Sequence, residues 1–334
     1  MLNPILSIII VSYNTKELLI KCVSSVYDQT RGVEFEIIMV DNNSQDGSVE
    51  EIRTCFPKVR VIVNETNEGF AAASNQGLKI MRGEYALLLN PDTIIIDNAL
   101  GKMIDFMEKH DEVGILCPKI FEPDGSLQRA AFPPSCTIQF LLSRMDKKGL
   151  FSGRLRIFYR RFIDPLLPAR LSNGYYDQLS RTSGKPFKAG WVSGACLMIR
   201  REVIEAIGFL DENLFLFCED RDWCHRAREK NWEVMLLPEA QIIHYGGQST
   251  QQNLPRGIPL YHRAQFYFVG KHLGKPALLA LKFIVFWELL AKILIRGFDF
   301  IVSKGQRKSK LYAYMESLRL IFKSSKRIRL RTSI

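Results

Sequence analysis

The stretch "YALLLNPDTIII", Tyr85–Ile96, decides the fold. Tyr85 to Leu89 and Ile94 to Ile96 are apolar runs of strand character, and Asn90-Pro91-Asp92 separates them. A proline cannot donate to a sheet ladder, so the run is not one central strand. The alternatives at this point are a plain β-turn with proline in second position, or a turn that presents a carboxylate at a strand end. Asp97 is expected to cap the helix Ala99–Met107, which leaves Asp92 without that duty.

Upstream of this stretch, strands and helices alternate. "LSIIIVSYN" reads as a β-branched strand, and "TKELLIKCVSSVYDQT" as a helix capped by Thr15, with Leu18, Leu19, Cys22, Val23 and Val26 at helical spacing. "EFEIIMVDNNS" is a second strand. "SVEEIRTCF" is a short helix with Ser48 as cap and Glu51 three residues on. "VRVIVN" is a strand, and "GFAAASNQGLKIM" a helix reached through Gly69. This order predicts an α/β protein with a mostly parallel, doubly wound sheet covered on both faces. Ligands in such sheets bind at the carboxyl ends of strands. The candidates are therefore Tyr13-Asn14, Asp41-Asn42-Asn43, Asn64 to Asn67 and Asn90-Pro91-Asp92. Further on, "WVSGACLMIRREVIEAIG" reads as a strand leading into a helix, "EDRDWCHRAREKN" as an amphipathic helix, and "WEVMLLP" and "AQIIHYGG" as two short strands. Residues 118–187 are irregular, with a basic-apolar mixture suited to a substrate-facing or membrane-contacting insertion.

Charge is unevenly placed. The net +11 resolves into +13 over Tyr261–Ile334, where 16 Lys and Arg face 3 Asp and Glu, and −2 over the rest. A nearly neutral body argues against a nucleic-acid binder. Seven scattered cysteines without a CxxC signal neither a zinc ribbon nor a disulfide framework, and point to a reducing compartment. The N-terminus lacks the basic region of a signal peptide. From Ala277 the chain is strongly apolar, yet Glu288, Lys292, Arg296 and Asp299 fall on one helical stripe. The expectation is a helix lying in an anionic membrane surface, with a packed helical hairpin and a tilted span as alternatives.

The chemistry-bearing residues follow from what is missing. The first turn, "SYNTKE", has no glycine, and no P-loop occurs, so phosphates are not held by a glycine-rich turn. A divalent metal on Asp92 is the natural substitute. Asp41 could accept a hydrogen bond from a base and Tyr13 could pack against it, although Asp-Asn-Asn is also an ordinary turn cluster. Glu219, Asp220 and Asp222 suit a helix start electrostatically, and equally could supply a general base. His244, before Gly246-Gly247, could be a satisfied core residue or a metal ligand from a distant strand.

In this order, "SIIIVSYN", "IIMVDNNSQDGS", "NEGFAAASNQG", "LLLNPDT", "WVSGACLMIRR", "FLFCEDRDWCHR" and "HYGGQST" resemble the inverting family-two glycosyltransferases of GT-A fold. The likeness is to the rhamnosyltransferase-like enzymes of bacterial surface polysaccharide assembly, and it runs from about Leu6 to Thr250. The resemblance implies Asp41 and Tyr13 at the base of a UDP- or dTDP-sugar, and Asn67, Gly69 and Asn75 along ribose and phosphate. It implies Asn90 and Asp92 as the DxD-type motif with Mg²⁺ or Mn²⁺ on Asp92, and His244 as the second metal position. Asp220 would be the catalytic base, oriented by Glu219, and Ser193-Gly194 would line the acceptor side. Asn90 departs from the family, which often has Asp there. No Arg-Trp dipeptide of the processive synthases occurs, so the resemblance implies addition of one sugar. It also implies a polyprenyl-diphosphate-linked acceptor and a peripheral location on the cytoplasmic face of the inner membrane. The implied organisation is a nucleotide-sugar half over 1–120, an acceptor and catalytic half over 121–260, and a basic amphipathic tail over 261–334. Competing readings are a sugar nucleotidyltransferase, which would want a glycine-rich basic first loop, and a non-catalytic nucleotide-sugar binder.

Overall fold

The computed structural model describes residues 4–135, 161, 166–168, 172–246, 254–302 and 308–322. Most of the basic-apolar stretch after Cys136, the Gln248-Ser249-Thr250 end of the last motif and most of the two C-terminal basic clusters lie outside them. The chain forms two compact units. The first comprises 1–134, 175–212 and 219–249, and the second 135–174, 213–218 and 250–334.

In the first unit the alternating pattern folds as read. Strands β1 (Leu6–Ser12), β2 (Phe35–Asp41), β3 (Arg60–Val63) and β4 (Tyr85–Leu89) alternate with helices α1 (Lys16–Gln29), α2 (Ser48–Cys55) and α3 (Phe70–Lys79). The four strands are parallel neighbours in the order β3-β2-β1-β4. All seven residues of β1 are buried, so both faces of the sheet are covered. That explains a continuous apolar run rather than an alternating one.

Past Asn90-Pro91-Asp92 the chain leaves its neighbours. The second half of the opening stretch is β5 (Thr93–Ile96), which lies at the far edge of the sheet. Helix α4 (Ala99–Lys109) and strands β6 (Val113–Phe121), β7 (Leu127–Gln128) and β8 (Ala131–Phe132) follow. Next come α5 (Asn173–Thr182), β9 (Phe187–Lys188), β10 (Trp191–Val192), β11 (Cys196–Arg200), α6 (Arg201–Ile207), α7 (Glu219–Glu229) and β12 (Glu233–His244). The sheet continues β4-β11-β6-β12-β5, with β11 antiparallel between β4 and β6, and β12 parallel to β6.

Four local expectations are corrected. "WEVMLLP" and "AQIIHYGG" are one strand, β12, whose register slips between Leu237 and Gln241. The slip sits beside Pro118 of β6, the partner of Leu237, and a bulge is where a sheet tolerates proline. Thr15 and Ser48 make no side-chain cap bonds. The carboxylate of Asp46 does both jobs, accepting from the N–H of Lys16 at 2.8 Å and of Ser48 at 3.1 Å. Asp97 does not cap α4 but pairs with Lys102 at 2.6 Å.

The second unit contains α8 (Leu254–His272), α9 (Gly274–Val302) and α10 (Lys308–Phe322). Ala277, Leu281, Val285 and Leu289 of α9 form a buried seam with Phe266 and Phe268 of α8 and Tyr314 and Ile321 of α10. Two members of the expected charged stripe, Glu288 and Lys292, do not face outward. Glu288 and Lys292 pair with one another, partly buried, and Lys292 lies 5.8 Å from the ring centre of Tyr314. The side chains of Arg296 and Asp299 lie outside the described residues. No helix among the described residues is long and apolar enough to cross a membrane.

Candidate active site

Two turns meet at the carboxyl end of β4. The first is Asn90-Pro91-Asp92, where β4 ends and the chain departs for β5. The second is Ser193-Gly194-Ala195, which leads into β11. Because β11 runs antiparallel beside β4, with Cys196 opposite Leu89, the N–H of Asn90 donates to the carbonyl of Ala195 at 2.9 Å. Residues a hundred positions apart are thereby tied at one sheet edge.

The first turn carries a candidate ligand pair. Strand β5 pairs with β12 in a register that sets Thr93 opposite His244, and the N–H of Tyr245 donates to the carbonyl of Asp92. Pairing therefore delivers His244 to Asp92: Nε2 lies 3.2 Å from Asp92 Oδ1 and 3.4 Å from Asn90 Nδ2. Both side chains are nearly buried. The other ring nitrogen, Nδ1, is 2.8 Å from Gln128 Oε1 of β7. With the amide oxygen accepting, Nδ1 carries the proton and the Nε2 lone pair faces Asp92. Ligand atoms at adjacent corners of an octahedron with bonds of about 2.1 Å sit roughly 3 Å apart. Asp92 Oδ1 and His244 Nε2 have that spacing. Turning the Asn90 amide over would bring a third oxygen to the same point. One carboxylate, one imidazole and one neutral amide fit Mg²⁺ or Mn²⁺, which complete their shells with water and phosphate oxygens.

The second turn holds a carboxylate. Asp220, in the first turn of α7, accepts from the N–H of Gly194 through Oδ2 at 3.0 Å and from the N–H of Arg221 through Oδ1 at 2.7 Å. A Cβ on Gly194 would lie 3.2 Å from the Asp220 Cβ, so any side chain here would press on Asp220 by a few tenths of an ångström. The three acids of α7 have separate fates. Asp222 is fully buried and paired with Arg226 at 2.7 Å, a structural bond. Burial raises Asp220 above the ordinary carboxylate range, against the pull of its two backbone donors. Glu219 does not touch Asp220 through a hydrogen bond, contrary to an orienting role. Its Oε2 is buried without a partner, and burial together with the Asp220 charge pushes the carboxyl up to about 8. Glu219 therefore keeps its proton near neutrality, beside an Asp220 whose carboxyl burial also raises. Orientation of Asp220 comes from Gly194 and Arg221 instead.

The ends of β1 and β2 form a second cluster. Asp41 is buried, its Oδ2 accepts from the N–H of Ser44 at 2.9 Å, and its Oδ1 has no partner. An orphaned buried carboxylate oxygen calls for a donor from a ligand. Tyr13, directly after β1, is half-buried. Asn67 Oδ1 accepts from the N–H of Gly69, whose φ of +84° suits glycine, and α3 starts at the next residue. Asn75 does not join this cluster. Its Nδ2 donates to the Leu210 carbonyl and to Glu212, and its Oδ1 accepts from the N–H of Leu210, so the amide clamps α3 to the segment after α6.

Comparisons with known proteins identify the family. The family model for glycosyl transferase family 2 matches residues 7–208. An N-acetylglucosaminyl-diphospho-decaprenol L-rhamnosyltransferase of Mycobacterium tuberculosis is 26% identical over 250 residues, covering 71% of this chain and 76% of that protein. The dTDP-rhamnosyl transferase RfbF of Shigella flexneri is 22% identical over 296 residues, covering 85% and 86%. Among solved structures, a mannosyltransferase from Pyrobaculum calidifontis in complex with GDP-mannose and Mn²⁺ superposes with a TM-score of 0.52 at 14% identity, over 96% of this chain and 86% of that one. That likeness concerns the GT-A fold alone. With the family model spanning more than half its length, this chain belongs to glycosyl transferase family 2 and is a glycosyltransferase.

Proposed function

We propose that the protein is a metal-dependent, inverting glycosyltransferase that moves one sugar, rhamnose foremost, from a dTDP- or UDP-sugar to a polyprenyl-diphosphate-linked glycan. The observation that carries the reading is the Asn90–Ala195 hydrogen bond, which joins the Asp92–His244 pair and the Asp220–Gly194 pair at one sheet edge. Donor and acceptor chemistry need both within one substrate's reach.

Asp41 Oδ1 accepts from the base of the donor, and Tyr13 packs beside it. Asn67 and Gly69 shape the approach to ribose and phosphate. Asp92 and His244 hold the ion, which when bound offsets charge on the leaving nucleoside diphosphate. Asp220 takes the proton from the acceptor hydroxyl as that oxygen attacks the anomeric carbon opposite the leaving group, which inverts the configuration. General-base help of this kind is worth about 10²–10⁴-fold. Asn90 adds no charge, so Asp92 is the main anchor of the ion. In this reading residues 1–120 serve the donor, 121–260 the acceptor, and 261–334 hold the protein at the anionic cytoplasmic surface where a polyprenyl-linked acceptor resides. The relatives' names support a rhamnose donor and a lipid-linked acceptor.

Titration of dTDP and UDP with and without Mn²⁺ tests the donor side. The parent should bind one of them more tightly with the ion, and Asp92→Ala should lose that increment. Equal affinity with and without Mn²⁺ in the parent refutes the metal's part.

A further inference from the structure

The second unit exposes apolar surface that a closed helical bundle would hide. In α9 the seam Ala277, Leu281, Val285 and Leu289 recurs every four residues and is buried. A second row, Leu279, Phe283 and Trp287, recurs at the same spacing on another side and is 67%, 66% and 54% exposed. Leu294 extends it, and α10 adds exposed Tyr312 and Phe322. A helix with apolar residues on both its packed and its exposed sides has a second environment to satisfy. Glu288 and Lys292 do not serve that exposed row, since they pair with one another and Lys292 lies over Tyr314.

We propose that this row is a lipid-docking face, which lies in the interface of an anionic bilayer with Leu279, Phe283 and Trp287 inserted. The inference deepens the membrane-surface part of the proposed function and is independent of the transfer chemistry. Three residues at i, i+4 and i+8 span about 12 Å along one side of a helix, which suits a helix parallel to a surface. Large aromatic rings favour that interface. Charge selects the occupant. The chain over Tyr261–Ile334 carries +13, which complements an anionic lipid surface, whereas a second copy of this chain would bring the same sign. Glu288 and Lys292 turn inward, and a separate apolar row takes the lipid.

The test uses the full chain with phosphatidylcholine vesicles, with and without phosphatidylglycerol, some carrying brominated acyl chains. The parent should sediment with the anionic vesicles, and brominated lipid should quench part of its tryptophan emission. Trp287→Phe should bind and lose that quenching, because Trp223 is fully buried and Trp191 and Trp232 are partly so. The triple variant Leu279→Ser, Phe283→Ser, Trp287→Ser should bind at least about tenfold more weakly, since each side chain withdrawn from lipid forfeits its transfer energy. Its turnover with a water-soluble acceptor should match the parent's. Unchanged vesicle binding by the triple variant, or quenching that persists in Trp287→Phe, overturns the proposal. So does a dimer in sedimentation that the triple variant abolishes while the parent ignores vesicles. A parent that binds vesicles with quenching but turns over no sugar nucleotide supports this face and counts against the transfer reading.

Discussion

Replacing Glu219 by Gln should stabilise the protein as pH rises, although a buried carboxyl next to the proposed base is removed. The carboxyl is raised from 4.5 to about 8 by burial and by the Asp220 charge. A group whose folded value lies above its unfolded one gives stability that is complete below the unfolded value and lost as pH rises through the folded one. Between pH 5 and pH 8 the unfolded chain releases this proton while the folded chain retains it. At about 1.4 kcal/mol per pH unit, the folded state loses on the order of 3 kcal/mol across that window. Glutamine has the shape of the protonated acid and does not titrate. Its amide meets the same unpartnered surroundings as Oε2 does now, so the exchange adds little polar cost of its own. Urea unfolding of parent and Glu219→Gln at pH 5, 6, 7 and 8 gives the difference directly. The gap should open in the variant's favour as pH rises, and turnover near neutrality should persist because Glu219 is already protonated there. A gap that stays flat with pH would refute the reasoning. A collapse of turnover at pH 7 would show that the ionised form of Glu219 is needed.

Three further outcomes follow from particular contacts. Gly194→Ala places a methyl 3.2 Å from the Asp220 Cβ, so kcat should fall about three- to tenfold with donor affinity unchanged; an unaffected kcat would mean that Gly194 does not set the base. Gln128→Leu removes the acceptor for Nδ1 of His244 and should weaken Mn²⁺ binding about 10- to 100-fold, read by electron paramagnetic resonance of free Mn²⁺, with the fold retained. Glu36, which accepts from Ser7, Arg60 and Arg82, is held below the ordinary value because those bonds outweigh the opposing effect of burial. Its contribution is therefore present above pH 4.5 and lost as pH falls through the depressed value. Glu36→Gln should cost about 1–2 kcal/mol at pH 7, little at low pH, and nothing in donor affinity.

The half of the fold that was legible is the half in which neighbours in sequence are neighbours in space. From β1 to β4 each apolar run is bounded by polar turn residues, and parallel order follows from alternation alone. The polar ends of those strands marked Asp41 and Asp92 correctly as positions at the sheet's carboxyl edge. Legibility ends where pairing becomes long-range. Strand β6 contains Pro118, which breaks the local pattern of a central strand, and the slip in β12 lies beside it. Nothing in "TIII" says that its partner is β12, yet that register brings His244 to Asp92. Gln128 carries no local signal, because it works on a segment that folds back to it, and the same holds for the bond of Asp46 to Lys16. Asn75 shows the opposite error. It sits in a motif of the family, but its amide is used within the protein. The inward turn of Glu288 and Lys292 in α9 was not legible, because periodicity assigns residues to sides of a helix without saying which side meets a partner.

The most direct test of the account is product formation by the parent and Asp220→Asn. Each is given dTDP-rhamnose, Mn²⁺ and a short-chain prenyl-diphosphate-linked N-acetylglucosamine. The parent should form the disaccharide with inverted anomeric configuration. Asp220→Asn should bind dTDP-rhamnose with the parent's affinity and form at least about 10²-fold less product. Parent-like turnover by Asp220→Asn, or a product of retained configuration, would contradict the assignment of Asp220 as the base.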